Sequence, residues 1–315
     1  MVLVLNPRYR GLRRGNAQRI EAPAVVTYPP LLEAFEAGTL DGISLLQADP
    51  GTTSEIQATY RRRFSASPVL STFYLAFHTG RAPFDVPAVR KAFIHAVDRE
   101  ALLRASGRAR YRVGMGGFLP PGMPGHSPVI GLGHDPEQAR ALLRQAGFDG
   151  GRGFPEVELL YSGDPGRNPL AEFLVRAWAD ELGVRVRPVG VDWAEFMRRR
   201  DHDPAAVSVS GWSADYPDPD NMLRLLFHSR EGINAIRWSH TEFDALTERA
   251  AATTDRKARI ALYQQADRIL VADEAAVMPL GYVLGAQLVQ PYVQAPRTPP
   301  SRLLLKHVVV ERPEH

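Results

Sequence analysis

The stretch from His134 to Val191 constrains the fold more than any other part of the chain, because it spells strand, helix and strand with their own start and stop signals. In HDPEQARALLRQAGF, Asp135 is placed to cap a helix, Pro136 suits its first turn, and Gln138 completes a capping-box spacing. Ala139, Leu142, Leu143 and Ala146 fall on one face, and Gly147 offers the left-handed stop. A strand is expected over Val157 to Tyr161, a second helix from Asn168-Pro169 to Gly183, and a second strand from Val184 to Val191. A strand, a crossover helix and a further strand predict a βαβ unit, and with it an α/β class.

The rest of the chain fits that class. Short strands are expected at Val2–Leu5, Val207–Val209 and Leu304–Val310, and longer strand-like sequence at Leu70–His78 and Val277–Val289. Helices are expected over Leu31–Ala37, closed by Gly38, over Asn221–Phe227, Glu242–Ala251 and Asp255–Leu270, and after Asp85-Val86-Pro87, where Asp85 is placed to cap. With 44% hydrophobic and 23% charged residues among 315, two packed cores are within reach and disorder is not expected. No internal repeat is seen.

Charge and composition narrow the functional classes. All but three of the 38 basic residues are arginine, the exceptions being Lys91, Lys257 and Lys306, and the acids nearly balance them to a net charge of +3. The densest runs, Arg61–Arg63 and Arg198–Arg200, sit near expected helix ends, where cations complement the helix dipole, so no nucleic-acid partner is expected. The absence of cysteine removes disulfides and thiolate metal sites. No segment reaches the ~20 apolar residues of a membrane span. The apolar start MVLVL is too short for a signal peptide, so no export address is expected in this sequence.

One loop concentrates chemistry. Gly211 to Asn221, GWSADYPDPDN, brings Trp212, Asp215, Tyr216, Asp218 and Asp220 together. Aromatic faces beside carboxylates suit an ammonium group, through cation–π attraction and charge pairing. The same residues build turns, and composition alone favours the turn. Both hold if Asp218 and Asp220 shape the loop while Asp215 faces a ligand. Enzyme signatures fail nearby. Gly211-Trp212-Ser213-Ala214-Asp215 has an acid where a nucleophile elbow needs its second glycine. A calcium loop starting at Asp215 would need glycine at 220 and an acid at 226, where Asp220 and Leu226 stand. No two histidines are four apart, and Gly114-Met115-Gly116-Gly117 lacks the lysine and hydroxyl of a phosphate loop, so it is read as a turn with close backbone packing. No catalytic residue, metal or cofactor is expected.

Six segments in order together resemble the bacterial solute-binding proteins of family 5, the dipeptide- and oligopeptide-binding receptors of ABC importers: NPRYRG from Asn6, AFEAGTLDG from Ala34, Phe73–Leu102, FLPPGMPG from Phe118, Asp135–Phe148 and Gly211–Asn221. The resemblance implies a two-lobed, periplasmic-binding-protein-like (type II) α/β fold that closes by a hinge on a small peptide. Residues 1–82 and 279–315 would belong to the first lobe and 83–278 to the second. It implies that Asp215 pairs with the ligand's α-ammonium, that main-chain groups of Gly211 and Ser213 meet the peptide backbone, and that Trp212 lies between them at the cleft. Its further implications are an extracytoplasmic location and a membrane permease as partner. Relatives carry a signal peptide and roughly two hundred further residues ahead of the matching region, about a domain's length, so the start of the first lobe is expected to be missing here. A ligand-sensing module of a longer regulatory protein is the alternative, and a hydrolase using the Asp215 loop a more distant one.

Overall fold

A computed structural model describes residues 1–23, 27–45, 48, 50–108, 111–164, 168–294 and 307–311. In chain order its elements are β1 (Val2–Val4), β2 (Arg19–Glu21), α1 (Tyr28–Glu36), β3 (Gly42–Ser44), α2 (Pro50–Thr59), β4 (Phe64–Phe77), α3 (Pro87–His95), α4 (Arg99–Ala105) and β5 (Tyr111–Val113). They continue with α5 (Pro136–Gln145), β6 (Val157–Ser162), α6 (Pro169–Leu182), β7 (Val186–Val191), α7 (Trp193–His202) and β8 (Val207–Ser213). The last are α8 (Pro219–Met222), α9 (Arg224–Phe227), α10 (Thr241–Ala252), α11 (Arg256–Arg268), β9 (Val277–Val289), β10 (Val293–Gln294) and β11 (Val309–Val310). Two compact units emerge, one of residues 1–69 with 284–315 and one of residues 70–283.

In the first unit, α1, α2, β3 and the end of β9 enclose a small core of Phe35, Ile43, Leu45, Ile56 and Leu288. β3 runs antiparallel to β9, with Ile43 opposite Leu288. Gly38, at φ +72°, ends the turn after α1, where a left-handed backbone favours glycine. β1 pairs with β2, and β10 with β11, as separate antiparallel ribbons.

The second unit is built on a mixed sheet in the order β5–β9–β4–β8–β6–β7. β6 and β7 are parallel and joined by α6, the βαβ unit expected from sequence. Side chains alternate across β4, so Leu75 and Phe77 enter one core while Tyr74 and Ala76 enter another. Helices α5 and α6 stand where expected. Asp135 accepts from the Gln138 N–H at 2.9 Å, Asn168 accepts from Leu170 and Ala171, and Gly183 at φ +68° stops α6. Trp178 of α6 is fully buried, and its indole donates to the Phe93 carbonyl at 2.9 Å.

Several local expectations need correction. Asp85 does not cap α3: the cap position is Val86, which has no side chain able to accept. The helix expected over Asn221–Phe227 is two short ones that meet at Leu223, because Pro219 at the first turn starts the earlier one. Of the strand expected over Leu304–Val310, residues 304–306 lie outside the described residues, and β11 covers Val309–Val310. The glycines at 114, 116 and 117 do mark close packing. A Cβ on Gly117 would fall 1.9 Å from Asp267 Oδ2, and one on Gly116 2.2 Å from the Ser127 carbonyl.

Candidate functional site

β8 carries the site because of how its two edges are used. Along one edge it pairs antiparallel with β4 from Val207 to Ser213, placing Gly211 opposite Phe73, Trp212 opposite Thr72 and Ser213 opposite Ser71. Along the other it pairs with β6 only at Val207 and Ser208. Among the described residues no strand continues that second edge from Val209 to Ser213. The exposed Gly211 and Ser213 therefore lie on a strand whose free side can still hydrogen-bond an extended chain.

The loop after β8 is held from within. Asn221 is fully buried, and its Oδ1 accepts from Trp212 Nε1 at 2.9 Å and from the Asp215 N–H at 3.1 Å. Its Nδ2 donates to Asp215 Oδ2 at 3.3 Å. One carboxamide thus fixes the half-buried Trp212 ring and the position of the exposed Asp215 carboxylate. Ala214 joins the loop to β4 through its N–H, which donates to the Leu70 carbonyl at 2.8 Å. The Ser213 hydroxyl donates to the Ser71 hydroxyl at 3.0 Å and so serves the strand pair.

The other two acids are committed to the scaffold. Asp218 caps α8 by accepting from the Asp220 N–H at 2.9 Å, and Arg259 of α11 donates to both of its oxygens, at 2.8 and 2.7 Å. Burial opposes the charged form of Asp218, but Arg259 and the Asp220 N–H outweigh it and hold its titration below the usual carboxylate range. Tyr263 donates to Asp220 Oδ1 at 2.9 Å, and burial followed by the Asp220 charge pushes the phenol well up, keeping it a donor. The structure therefore brings Gly211, Trp212, Ser213 and Asp215 onto one strand end and loop, with Asp218 and Asp220 turned to α11. Asn221, Arg259 and Tyr263 were not singled out from sequence. Asn221 closes the GWSADYPDPDN motif, but Arg259 and Tyr263 lie about forty residues on and give no local signal.

Beneath Ser210, Gly211 and Trp212 lies a cavity of about 40 Å³, also lined by Tyr74, Arg200 and Phe227. That volume admits a few waters and is far too small to enclose a peptide. Arg200 belongs to the last turn of α7, where the Arg198–Arg200 run is met by local acids: Arg198 by Glu195, Arg199 by Glu158 and Arg200 by Asp201.

The site is thus an open strand edge beside an exposed carboxylate whose position is fixed by Asn221. The family model described as bacterial extracellular solute-binding proteins, family 5 Middle, matches residues 1–234, and the chain belongs to that family. Among the most similar curated relatives, heme-binding protein A of Haemophilus influenzae is 32% identical over 235 residues, 72% of this chain and 43% of its own length. The dipeptide-binding protein of Escherichia coli is 30% identical over 223 residues, 68% of this chain and 41% of its own. The matched stretch thus covers less than half the length of these relatives. Among solved structures, HbpA2 from Haemophilus parasuis superposes with a TM-score of 0.80 at 26% identity, over 99% of this chain and 61% of its own. DppA from Helicobacter pylori in complex with the peptide STSA superposes at 0.75, with 21% identity, 99% of this chain and 60% of its own, which shows the same fold.

Proposed function

We propose that the chain is the ligand-binding part of an extracytoplasmic receptor that captures small peptides and presents them to the membrane permease of an ABC importer, without catalysis. The observation that carries this reading is the exposed Asp215 carboxylate, set by Asn221 at the end of a strand whose second edge is open from Val209 to Ser213. An extended peptide added along that edge would gain main-chain hydrogen bonds that ignore its side chains, while its α-ammonium pairs with Asp215. Trp212 supplies a partly buried aromatic face between Gly211 and Ser213. Because Asn221, Arg259 and Tyr263 hold the loop before any ligand arrives, little ordering cost is left for binding. The names of the Escherichia coli and Helicobacter pylori proteins support a peptide, and closure of two lobes over it follows from the family resemblance.

The test is native mass spectrometry of the purified chain mixed with free di- to pentapeptides, with the peptides recovered after long incubation. Retention of intact peptides is expected. Retention of none, with a porphyrin or other non-peptide solute carried from the expression host, would redirect the assignment to that solute. Cleaved peptides would return it to a hydrolase.

A further inference from the structure

The cavity beneath Ser210, Gly211 and Trp212 offers donors and positive charge, and no acid. Its polar lining is Tyr74, His78, Arg200, Ser208, Ser210 and Trp212; the remaining lining residues are glycine or apolar. All of them belong to the second unit, between β4 and the segment after α9, so what the cavity offers a ligand does not depend on a surface that another segment could cover. Strand register explains why they meet. Tyr74 stands opposite Ser210 and Ala76 opposite Ser208, and alternation turns Tyr74, Ala76 and His78 to one face with Ser208, Ser210 and Trp212.

Two of these groups have bonding capacity left over. Arg200 donates from Nε to Asp201 Oδ1 at 2.7 Å, while among the described residues no acceptor meets its two terminal nitrogens. Those nitrogens form the fork that fits a carboxylate or phosphate with two parallel bonds. His78 is only 9% exposed, and its Nδ1 is buried with no hydrogen-bond partner among the described residues. Burial, and then the charge of Arg81, hold this imidazole below its ordinary range, so it is neutral at pH 7. Burial pushes the Tyr74 phenol up, so it keeps its proton beside Ser210.

Charge around the cavity is in excess of one sign. Arg81 donates to the Pro204 carbonyl, and Arg237 to the Asp201 carbonyl at 3.3 Å, so with Arg200 three guanidiniums gather on residues 200–204. Of the two acids there, Asp201 pairs with Arg200, and Asp203 acts on Arg198, which Glu195 already holds. A cation is therefore opposed, and an apolar group would leave Arg200 and His78 unsatisfied at a cost in desolvation. Water would satisfy them without answering the charge. A compact oxyanion does both, and a volume of about 40 Å³, room for roughly three waters, suits one.

We infer that this cavity is an oxyanion site, with the Arg200 fork as its charged anchor and Tyr74, Ser210 and His78 as its polar lining. Two sources can supply the oxyanion. One is a free phosphate or sulfate. The other is the carboxylate of an acidic side chain on a bound peptide, because a strand added along Val209–Ser213 turns alternate side chains to the face that Ser210 and Trp212 share. The second source rests on the peptide reading above; the first does not.

The experiment has two arms, both on the full chain. In the first, phosphate and sulfate replace chloride at constant ionic strength. Once the anion exceeds its dissociation constant about tenfold, the thermal midpoint should rise by roughly 2–5 °C. R200Q should lose that shift, and R200K should keep part of it, since the charge survives without the fork. R152Q, which alters an exposed arginine elsewhere on the same unit, should keep all of it. In the second arm, calorimetry compares peptides that differ only by Glu or Gln at one position, taken through each position in turn. At one position the Glu peptide should bind about tenfold more tightly, and R200Q should erase the difference. A shift without a Glu preference assigns the site to a free anion, and a Glu preference without a shift assigns it to the ligand. Neither response, or responses that R200Q keeps in full or R152Q loses, overturn the inference while leaving peptide binding intact. A chain that binds no peptide yet loses its anion shift in R200Q would support the site and sink the peptide reading.

Discussion

Arg259 grips Asp218 with two parallel bonds, 2.8 and 2.7 Å, joining α11 to the loop that follows β8. Neither side chain is more than a third exposed, so the pair is partly shielded from solvent screening. Arg259→Ala should cost about 1–3 kcal/mol, because it removes charge-assisted bonds and leaves a half-buried carboxylate. The Asp218 carboxyl is held below its ordinary range in the fold, so its contribution is present above the unfolded value of ~3.9 and disappears as pH falls through the lower folded value. Urea midpoints of parent and variant should therefore differ at neutral pH and converge in acid. A gap that stays constant to the lowest pH would show that packing, not charge, is what Arg259 contributes.

Asp267 behaves in the opposite sense. It is fully buried on α11, and it accepts from the Phe118 N–H at 2.6 Å and the Leu119 N–H at 3.4 Å. No cation pairs with it among the described residues. Burial pushes its carboxyl up to about 7, against the pull of those two N–H groups. A folded value raised above the unfolded ~3.9 means that stability is greatest below ~4 and is lost as pH rises through about 7. The loss is a few kcal/mol, on the order of 4 at most. Asp267→Asn keeps the shape and an acceptor but cannot ionise. Its unfolding free energy, compared with the parent's at pH 4 and pH 8, should lack that decline; equal slopes would sink the assignment.

Where local chemistry sets an element, the sequence discloses it. The ends of α5 and α6 were legible because Asp135, Asn168 and Gly183 act on their own neighbours. α2 was not, since PGTTSEIQAT buries Thr53 and Ile56 without forming an apolar stripe, and its helix depends on the small core it packs against. Asp85 misled because a good capping residue stood one position too early, before Val86. The same division runs through the site. The GWSADYPDPDN loop could be picked out by composition, and Asp218 could be assigned to turn-building by type. What the sequence could not show is that Asn221 bridges Trp212 and Asp215, or that Arg259 and Tyr263 reach the loop from α11, because those contacts exist only after the chain has packed.

Asn221 is the test of that bridge. Asn221→Leu is similar in size but removes the oxygen that accepts from the Trp212 indole N–H and the Asp215 N–H, which should cost about 1–3 kcal/mol of stability. Peptide affinity should fall as well, since Asp215 loses the group that positions it. Asn221→Asp retains an acceptor for both donors and should recover most of the stability while placing a second carboxylate against Asp215. If the leucine variant keeps full peptide affinity, the loop is positioned by Arg259 and Tyr263 alone.

The last prediction concerns Asp215 itself, the acid exposed beside the open edge of β8. A carboxylate that pairs with an ammonium in a closed cleft is desolvated, so removing one partner strands the other and should cost on the order of 2–5 kcal/mol. Asp215→Asn preserves the shape and the bond from Asn221 Nδ2 while deleting the charge, so free-amino peptides should bind roughly thirtyfold more weakly or worse. N-acetylated peptides have no ammonium to lose. They should bind poorly to the parent and be nearly unaffected by the substitution. Calorimetry of two proteins against two peptides isolates the coupling as the difference of differences, free of whatever the mutation does to the loop in general. Equal weakening of free and acetylated peptides would make Asp215 a turn former, and leave main-chain pairing along Val209–Ser213 as the source of affinity.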